Sequence, residues 1–383
     1  MGRLASTATA WWTDPVVSHL PIIPDYSGAN VRGIVPALLG PSSRLPPWIP
    51  DRLQGARQVV LLVLDGLGWE QFEQRRALAP TLSAMQGGAI TTVAPTTTAT
   101  ALTSITTGLT PGEHGLVGYR IDVGGEVLNV LRWQSDRPHD ARRHHEPDRL
   151  QPFAPFLGEP VPVVSRADLE RSAFSAAHLR GTRPCGWRVP SSLPVRVGEL
   201  LRAGERFVYA YYDGIDRVAH EQGFGPFYDA ELCAVDQLVA LVIEQLPTDA
   251  ALLVTADHGQ VHVGANTAPI APELGRLIQR TSGEGRFRWL HAAPGAAADL
   301  EVAATEAHGG SAWVVSRQQM LDEAWFGPVV SPPVRARLGD VALVAREAVS
   351  FDDPAEGGSH SLVCRHGSMT SAEVYVPLLA ARP

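Results

Sequence analysis

Three apolar runs in this chain each end at a carboxylate. Gln58–Leu64 leads into Asp65 and Gly66; Phe207–Tyr212 leads into Asp213, with Asp216 and His220 just beyond; Ala250–Thr255 leads to Asp257, His258 and Gly259. Between the first two lies Pro95-Thr96-Thr97-Thr98, and near the end stand His366 and Gly367. In an open α/β sheet, ligands bind in the crevice outside the carboxyl ends of the strands. Buried strands that each end in a carboxylate therefore describe one converging acidic mouth. The added imidazoles give that mouth the donor set of a metal site.

Taken singly, each piece also has a plainer reading. Asp65 before a glycine is a turn signal. Thr98 opens a stretch with apolar residues at Ala99, Leu102 and Ile105 that Gly108 ends, so it fits an ordinary helix N-cap. It fits a nucleophile too, because a helix N-terminus favours a phosphate oxygen and metal coordination can turn a weak hydroxyl into an alkoxide. Asp216 and His220, four apart, share one helix face and can ligate a metal or pair with each other; Asp213 is an alternative on that face. Asp257-His258-Gly259 is the sharpest signal, two ligand-type side chains followed by a residue that permits tight backbone geometry. His366-Gly367 repeats the pattern, with His360 nearby. His114, His139, His144, His145 and His291 read as solvated or structural histidines. Together the clusters supply three Asp, three His and one Thr, enough for two metal sites sharing a hydroxyl nucleophile.

The elements that must carry these residues alternate. Gln58–Leu64, Phe207–Tyr212 and Ala250–Thr255 are apolar runs of strand length, as in strands covered on both faces. Residues 69–85 look helical with Pro80 interrupting, 90–93 form a short strand, and 231–245 an amphipathic helix. Residues 340–346 return as a strand, and 373–380 close the core. Alternating strands and helices predict an α/β fold, a mostly parallel central sheet with helices on both faces. Residues 1–57, rich in Pro, Gly and Ser, read as a lead-in packed on the core, and 58–383 as a single catalytic domain. The irregular segments at about 120–200 and 262–335 read as insertions that form a cap over the mouth.

Composition narrows the function. The chain has 383 residues, 45% of them hydrophobic, and a net charge of −8, which argues against a nucleic-acid duplex as partner, since phosphate backbones call for Lys/Arg stripes. A small phosphate substrate stays open, because bound cations reverse the local field. Cys185, Cys233 and Cys364 are widely spaced and odd in number, so the expectation is reduced thiols in a cytoplasmic protein. The start lacks a long apolar stretch of the signal-peptide kind, and no run approaches the ~20 residues needed to cross a bilayer.

The ordered set Asp-Gly, Pro-x-x-Thr, Asp-x-x-x-His, Asp-His-Gly and a late His-Gly resembles the alkaline phosphatase superfamily. Within it, the chain is most similar to the nucleotide pyrophosphatase/phosphodiesterase branch, whose pattern continues through Thr107, Gly108, Pro111, His114 and Gly115. The resemblance spans about residues 58–378 outside most of the two insertions. It implies an alkaline phosphatase-like fold and two adjacent zinc ions, with manganese as the alternative ion. Asp65, Thr98, Asp257 and His258 would hold the ion that activates the nucleophile; Asp216, His220 and His366 would hold the other. Thr98 would attack phosphorus and form a phosphothreonine intermediate. The chain departs from the branch at Ala99, Thr100 and Ala101, where many members have an aromatic residue and then Pro-Asn. It also departs at Tyr119, where the branch has an asparagine; Tyr119 or Arg120 could supply the missing hydrogen bond to a phosphate oxygen.

The implied activity is hydrolysis of a small-molecule phosphate ester, a nucleotide among the candidates, at a diester or pyrophosphate linkage. A phosphomonoesterase on the same scaffold is the rival, with Arg120, Arg166 and Arg180 as cations for the extra charge. A sulfatase fits poorly, because Thr98 stands where that branch carries Cys or Ser. A non-catalytic, metal-binding pseudoenzyme is the reading from another class. It fits less well because every expected ligand position carries a competent side chain.

Overall fold

The computed structural model describes residues 20–42, 44–353 and 362–383, so His360 and the start of the lead-in lie outside the described residues. A seven-stranded sheet carries the core. Its order is Gln86–Thr91, Tyr375–Ala381, Ala250–Thr255, Gln58–Leu64, Phe207–Tyr212, Pro162–Val164, Arg183–Pro184. Every pairing among the last five of these strands is parallel, and only Tyr375–Ala381 runs against its neighbours. The fold is therefore α/β with a mostly parallel sheet.

The three carboxylate-tipped strands are the three central ones. Their side chains from Val60 to Leu64, Phe207 to Tyr212 and Ala250 to Thr255 are all buried, which explains runs that are apolar without alternation. Their register brings their carboxyl ends to one level: Leu64 pairs with Tyr212, and Val63 with both Tyr211 and Thr255. Gln58–Leu64 has a neighbour on each side, one later in the chain than the other, and the ligand crevice of such a sheet opens at this point.

Two groups of helices pack together, one around Thr98–Thr107 with Ile34–Leu39 and Ala173–His178, the other around Pro226–Glu244 with Pro80–Ala84, Ser192–Arg202 and Gly214–Gln222; Ala297–His308 packs instead on a second sheet. Pro80 does not merely interrupt a helix. It sits at the first position of a new one, Pro80–Ala84, where its missing N–H costs nothing. Gly108 ends Thr98–Thr107 in the left-handed conformation, φ 73°.

Two segments differ from the sequence reading. The stretch at about 120–200 is mixed. It contains a three-stranded antiparallel sheet (Arg120–Val123, Glu126–Asn129, Gln134–Ser135), but Pro162–Val164 and Arg183–Pro184 extend the central sheet and Ser192–Arg202 is a regular helix. Strands this short, with proline inside them, have no periodic signature. The strand Val341–Ala345 belongs not to the central sheet but to a second, antiparallel one ordered Ile278–Glu284, Phe287–Ala292, Val341–Ala345, Ala312–Ser316, which has its own small core around Leu290, Leu300 and Leu343. The described part of the lead-in packs on the main core through Val31, Ile34, Val35, Ile49 and Leu53. The Tyr26 hydroxyl clasps it there, donating to the Trp325 carbonyl (2.7 Å) and accepting from the Ala94 amide (3.1 Å).

Candidate active site

Asp65 and Asp257 leave adjacent strands and meet under the surface, with side chains almost wholly buried. Asp257 Oδ1 accepts from the Gly66 amide (3.1 Å) and the His258 amide (3.0 Å). Asp65 Oδ2 accepts from the Tyr211 hydroxyl. The other oxygen of each, Asp65 Oδ1 and Asp257 Oδ2, is buried without a hydrogen-bond partner. Both lie 3.4 Å from His258 Nε2. Gly66 is required for this approach: it holds φ +74°, and a side chain there would put Cβ 2.9 Å from Asp216 Cβ and 2.5 Å from Gln260 Nε2. Gly259 is required by contact alone, since a Cβ would stand 2.0 Å from the Ala372 carbonyl oxygen.

Thr98 joins this group. It is the first residue inside the helix Thr98–Thr107, and Thr97 takes the N-cap position, so Thr98 is not the cap. Its hydroxyl is 3.1 Å from His258 Nε2. The second group stands beside the first. Asp216 and His220 lie on Gly214–Gln222, four apart as the spacing requires, with His220 Nε2 3.2 Å from Asp216 Oδ1. His366 Nε2 is 4.0 Å from the same oxygen, and its ring stacks on His258 at 3.7 Å.

One device is shared by the three histidines. His220 Nδ1 bonds the Cys364 carbonyl (2.7 Å), His258 Nδ1 the Gly259 carbonyl (3.1 Å) and His366 Nδ1 the Thr96 carbonyl (2.9 Å). A carbonyl only accepts, so each Nδ1 carries a proton, and Nε2 is the ring atom that each histidine presents to the mouth. That is the outer-shell arrangement of metal-bound histidines.

The electrostatics point the same way. Burial, together with the nearby charges of Asp257 and Asp216, pushes the Asp65 carboxyl well above the usual carboxylate range. Burial also raises Asp257. For Asp216 burial acts upward too, but the ion pair and hydrogen bond with His220 outweigh it and hold that carboxyl low. Burial and the neighbouring His258 and His220 drive His366 well below its ordinary value, so its imidazole is neutral. Carboxylates this desolvated, with orphaned oxygens facing an imidazole nitrogen, call for a cation. Among the described residues of the mouth, two donor groups meet the geometry, Asp65–Asp257–His258 and Asp216–His258–His366. His258 stands within reach of both, and His220 joins the second through Asp216. Mixed carboxylate and imidazole donors suit a divalent ion of the zinc or manganese kind.

The structure thus brings Asp65, Thr98, Asp216, His220, Asp257, His258 and His366 to one mouth. The substrate-side residues stand otherwise. The Tyr119 hydroxyl accepts from the Asn129 amide (2.6 Å), and Arg120, buried, pairs with Asp353 at 2.7 Å. Arg166 is held by Asp168 and by Asp213 (2.7 Å), and Arg180 donates to the Gln151 and Ala177 carbonyls. Asp213 therefore serves Arg166. Two site residues escaped the sequence reading. Tyr211 is the strand residue bound to Asp65, and Gln260 donates from Nε2 to Asp216 Oδ1 (2.8 Å). Tyr211 is hidden inside an apolar run; Gln260 had one signal, its place just after Asp257-His258-Gly259.

A family model described as type I phosphodiesterase / nucleotide pyrophosphatase matches residues 59–369. No curated protein matches the sequence. Among solved structures, murine ectonucleotide pyrophosphatase/phosphodiesterase 5 superposes with a TM-score of 0.63 at 16% identity, over 85% of this chain and 88% of that one. An inactive threonine-to-alanine variant of that murine protein, in complex with AMP, gives a TM-score of 0.64 at 16% identity, over the same shares. Phosphonoacetate hydrolase from Sinorhizobium meliloti, in complex with phosphonoacetate, gives 0.58 at 17%, over 86% of this chain and 91% of that one. At such identities the likeness concerns the fold.

Proposed function

Because the chain belongs to the type I phosphodiesterase / nucleotide pyrophosphatase family, whose members are metal-dependent phosphoric ester hydrolases, we propose that it cleaves diester or pyrophosphate linkages of small molecules with Thr98 as nucleophile. The observation that carries this reading is the position of the Thr98 hydroxyl, at the start of a helix and 3.1 Å from His258 Nε2, beside two buried carboxylate oxygens without partners. Two divalent ions at Asp65–Asp257–His258–Thr98 and at Asp216–His220–His366 would lower the hydroxyl's pKa and neutralise charge on the phosphoryl oxygens; zinc is the ion this reading favours.

In the present geometry the Thr98 hydroxyl proton points to His258 Nε2, because Nδ1 of that ring is committed to Gly259. Thr98 Oγ1 forms a bond to phosphorus as the bond from phosphorus to the leaving oxygen breaks, and the proton that Thr98 gives up passes through solvent to the leaving oxygen. The first turn of Thr98–Thr107 leaves backbone N–H groups outside the helical ladder, donors of the kind that bind a phosphoryl oxygen. Water then attacks phosphorus, the Oγ1–P bond breaks, and Thr98 regains its proton. The inactive threonine-to-alanine variant of the murine relative supports a threonine in this role. The AMP in that complex supports a nucleotide as substrate class.

A diester fits better than a monoester on one further observation. Two of the three arginines that could balance a second negative charge, Arg166 and Arg180, are committed to Asp168, Asp213 and backbone carbonyls, and Arg120 is paired with Asp353. Parallel turnover of bis-p-nitrophenyl phosphate and p-nitrophenyl phosphate by zinc-loaded protein tests this. Faster diester cleavage is expected; faster monoester cleavage would move the chain to the phosphatase reading with the same mouth.

A further inference from the structure

Three histidines outside the mouth converge on one carboxylate. Glu126 lies on the strand Glu126–Asn129, and His139, His144 and His145 come from the loop and helical turn that follow Gln134–Ser135. His139 Nε2 is 2.6 Å and His145 Nε2 3.1 Å from Glu126 Oε2, and His144 Nε2 is 3.7 Å from Oε1. All four donor atoms lie within 4.8 Å of one another. In a tetrahedral site with Zn–N bonds of about 2.1 Å, ligand atoms stand about 3.4 Å apart. The separations to Glu126 bracket that value.

As a set of ion pairs the cluster is poorly designed. Charging all three rings, with centroids 4.4, 4.8 and 6.0 Å apart, would set three cations against one carboxylate and against each other. As a ligand set it is well supported. The Ser135 hydroxyl donates to Glu126 Oε2 (3.0 Å) and fixes the carboxylate. The Trp133 indole donates to the His145 carbonyl (2.8 Å) and holds the backbone there. Asp140 caps the turn Ala141–His144 through the amides of Arg142 and Arg143, which sets where His144 and His145 point. Such orienting contacts around donor side chains mark metal sites. An ion would have a route in, since the His144 side chain is 58% exposed while that of His145 is only 9% exposed.

We propose that Glu126, His139, His144 and His145 form a further site for a divalent transition ion of the zinc class, built from residues none of which belongs to the mouth. The ion closes the loop between Glu126–Asn129 and Ala141–His144, so its binding adds to the stability of that segment. The site is structural: four protein donors fill a tetrahedral shell and leave no position for a substrate.

The test uses the full-length protein, stripped by chelation, reloaded with micromolar Zn2+ and counted by mass spectrometry beside the variants Glu126→Gln and His139→Ala/His145→Ala. Each variant is expected to carry one zinc equivalent fewer than the wild type, with the same far-UV dichroism and the same diester turnover. The comparison is between proteins with an identical mouth, so a failure of the mouth reading would lower the total in all of them and leave the difference of one. Equal zinc content in wild type and a folded variant would overturn the site, as would zinc binding at these residues only at millimolar concentration. The partly exposed His144→Ala is the fallback if Glu126→Gln does not fold, and it must lower zinc affinity for the site to stand.

Discussion

Asp257 sits wholly buried at a strand end with one carboxylate oxygen that no hydrogen bond reaches, whereas Glu126, nearer the surface, takes bonds from His139, His145 and Ser135. Both regions set carboxylate against imidazole, yet they differ in what they do without a cation. The mouth keeps Asp65 and Asp257 desolvated, and burial drives both carboxyls upward. In the Glu126 cluster, burial acts upward as well, but hydrogen bonds from His145, His139 and Ser135 pull the carboxyl down to about 2. A buried, unsatisfied donor set is one that the fold holds open at a cost, as functional sites do. A surface set whose carboxylate already has hydrogen-bond partners persists without an ion and gains from one only locally.

The largest expected consequence falls on the mouth. Asp257→Asn removes a carboxylate from the proposed ligand set, and we predict loss of metal together with a fall in diester turnover on the order of 100-fold or more. Unchanged metal content in that variant would remove the contrast between the regions. Tyr211→Phe is gentler. It deletes the hydroxyl that orients Asp65 and should cost about 10–100-fold in metal affinity or rate, the usual range for an outer-shell partner; full retention of both would make Tyr211 a packing residue. Glu126→Gln should leave turnover within about twofold and change only the zinc-dependent part of the melting temperature, by a few degrees. A large rate loss there would mean that the cluster and the mouth are coupled.

A third type of imidazole sharpens the comparison through pH. His178 is fully buried, stacked on Phe174 at 3.9 Å with Nδ1 on the Phe174 carbonyl, and burial lowers its pKa to about 4. The sign follows from linkage. Below the unfolded value of about 6.5 the unfolded chain binds a proton that the folded one refuses, so stability falls as pH drops from about 6.5 toward 4. The loss attributable to this ring is on the order of 3 kcal/mol at the acid end. His178→Gln should flatten that part of the denaturant-midpoint profile, and an unchanged slope would show that the ring titrates freely.

Much of the mouth was legible because its determinants are local. Gln58–Leu64, Phe207–Tyr212 and Ala250–Thr255 have the bounds that their apolar runs suggest, and the residues after them are the ones the sheet delivers to its carboxyl edge. Asp216 and His220 were legible through helix spacing. Tyr211 was not, because a tyrosine inside a buried strand looks like core until its hydroxyl finds Asp65. The grouping of His139, His144 and His145 with Glu126 was not legible, because a basic, proline-bordered stretch looks solvated and Glu126 stands on an earlier strand. Pro162–Val164 and Arg183–Pro184 were invisible because parallel edge pairing needs no periodic pattern. Arg120 looked like a phosphate ligand in sequence, while in the structure it pairs with Asp353 from the far end of the chain.

The most direct measurement is diester turnover by zinc-loaded wild type and Thr98→Ala, with metal counted in both. Comparable folding, metal largely retained and a loss of turnover on the order of 10³-fold or more are expected in the variant. Turnover within a few-fold of wild type in metal-replete Thr98→Ala would contradict this expectation, because the hydroxyl beside His258 would then form no bond to phosphorus.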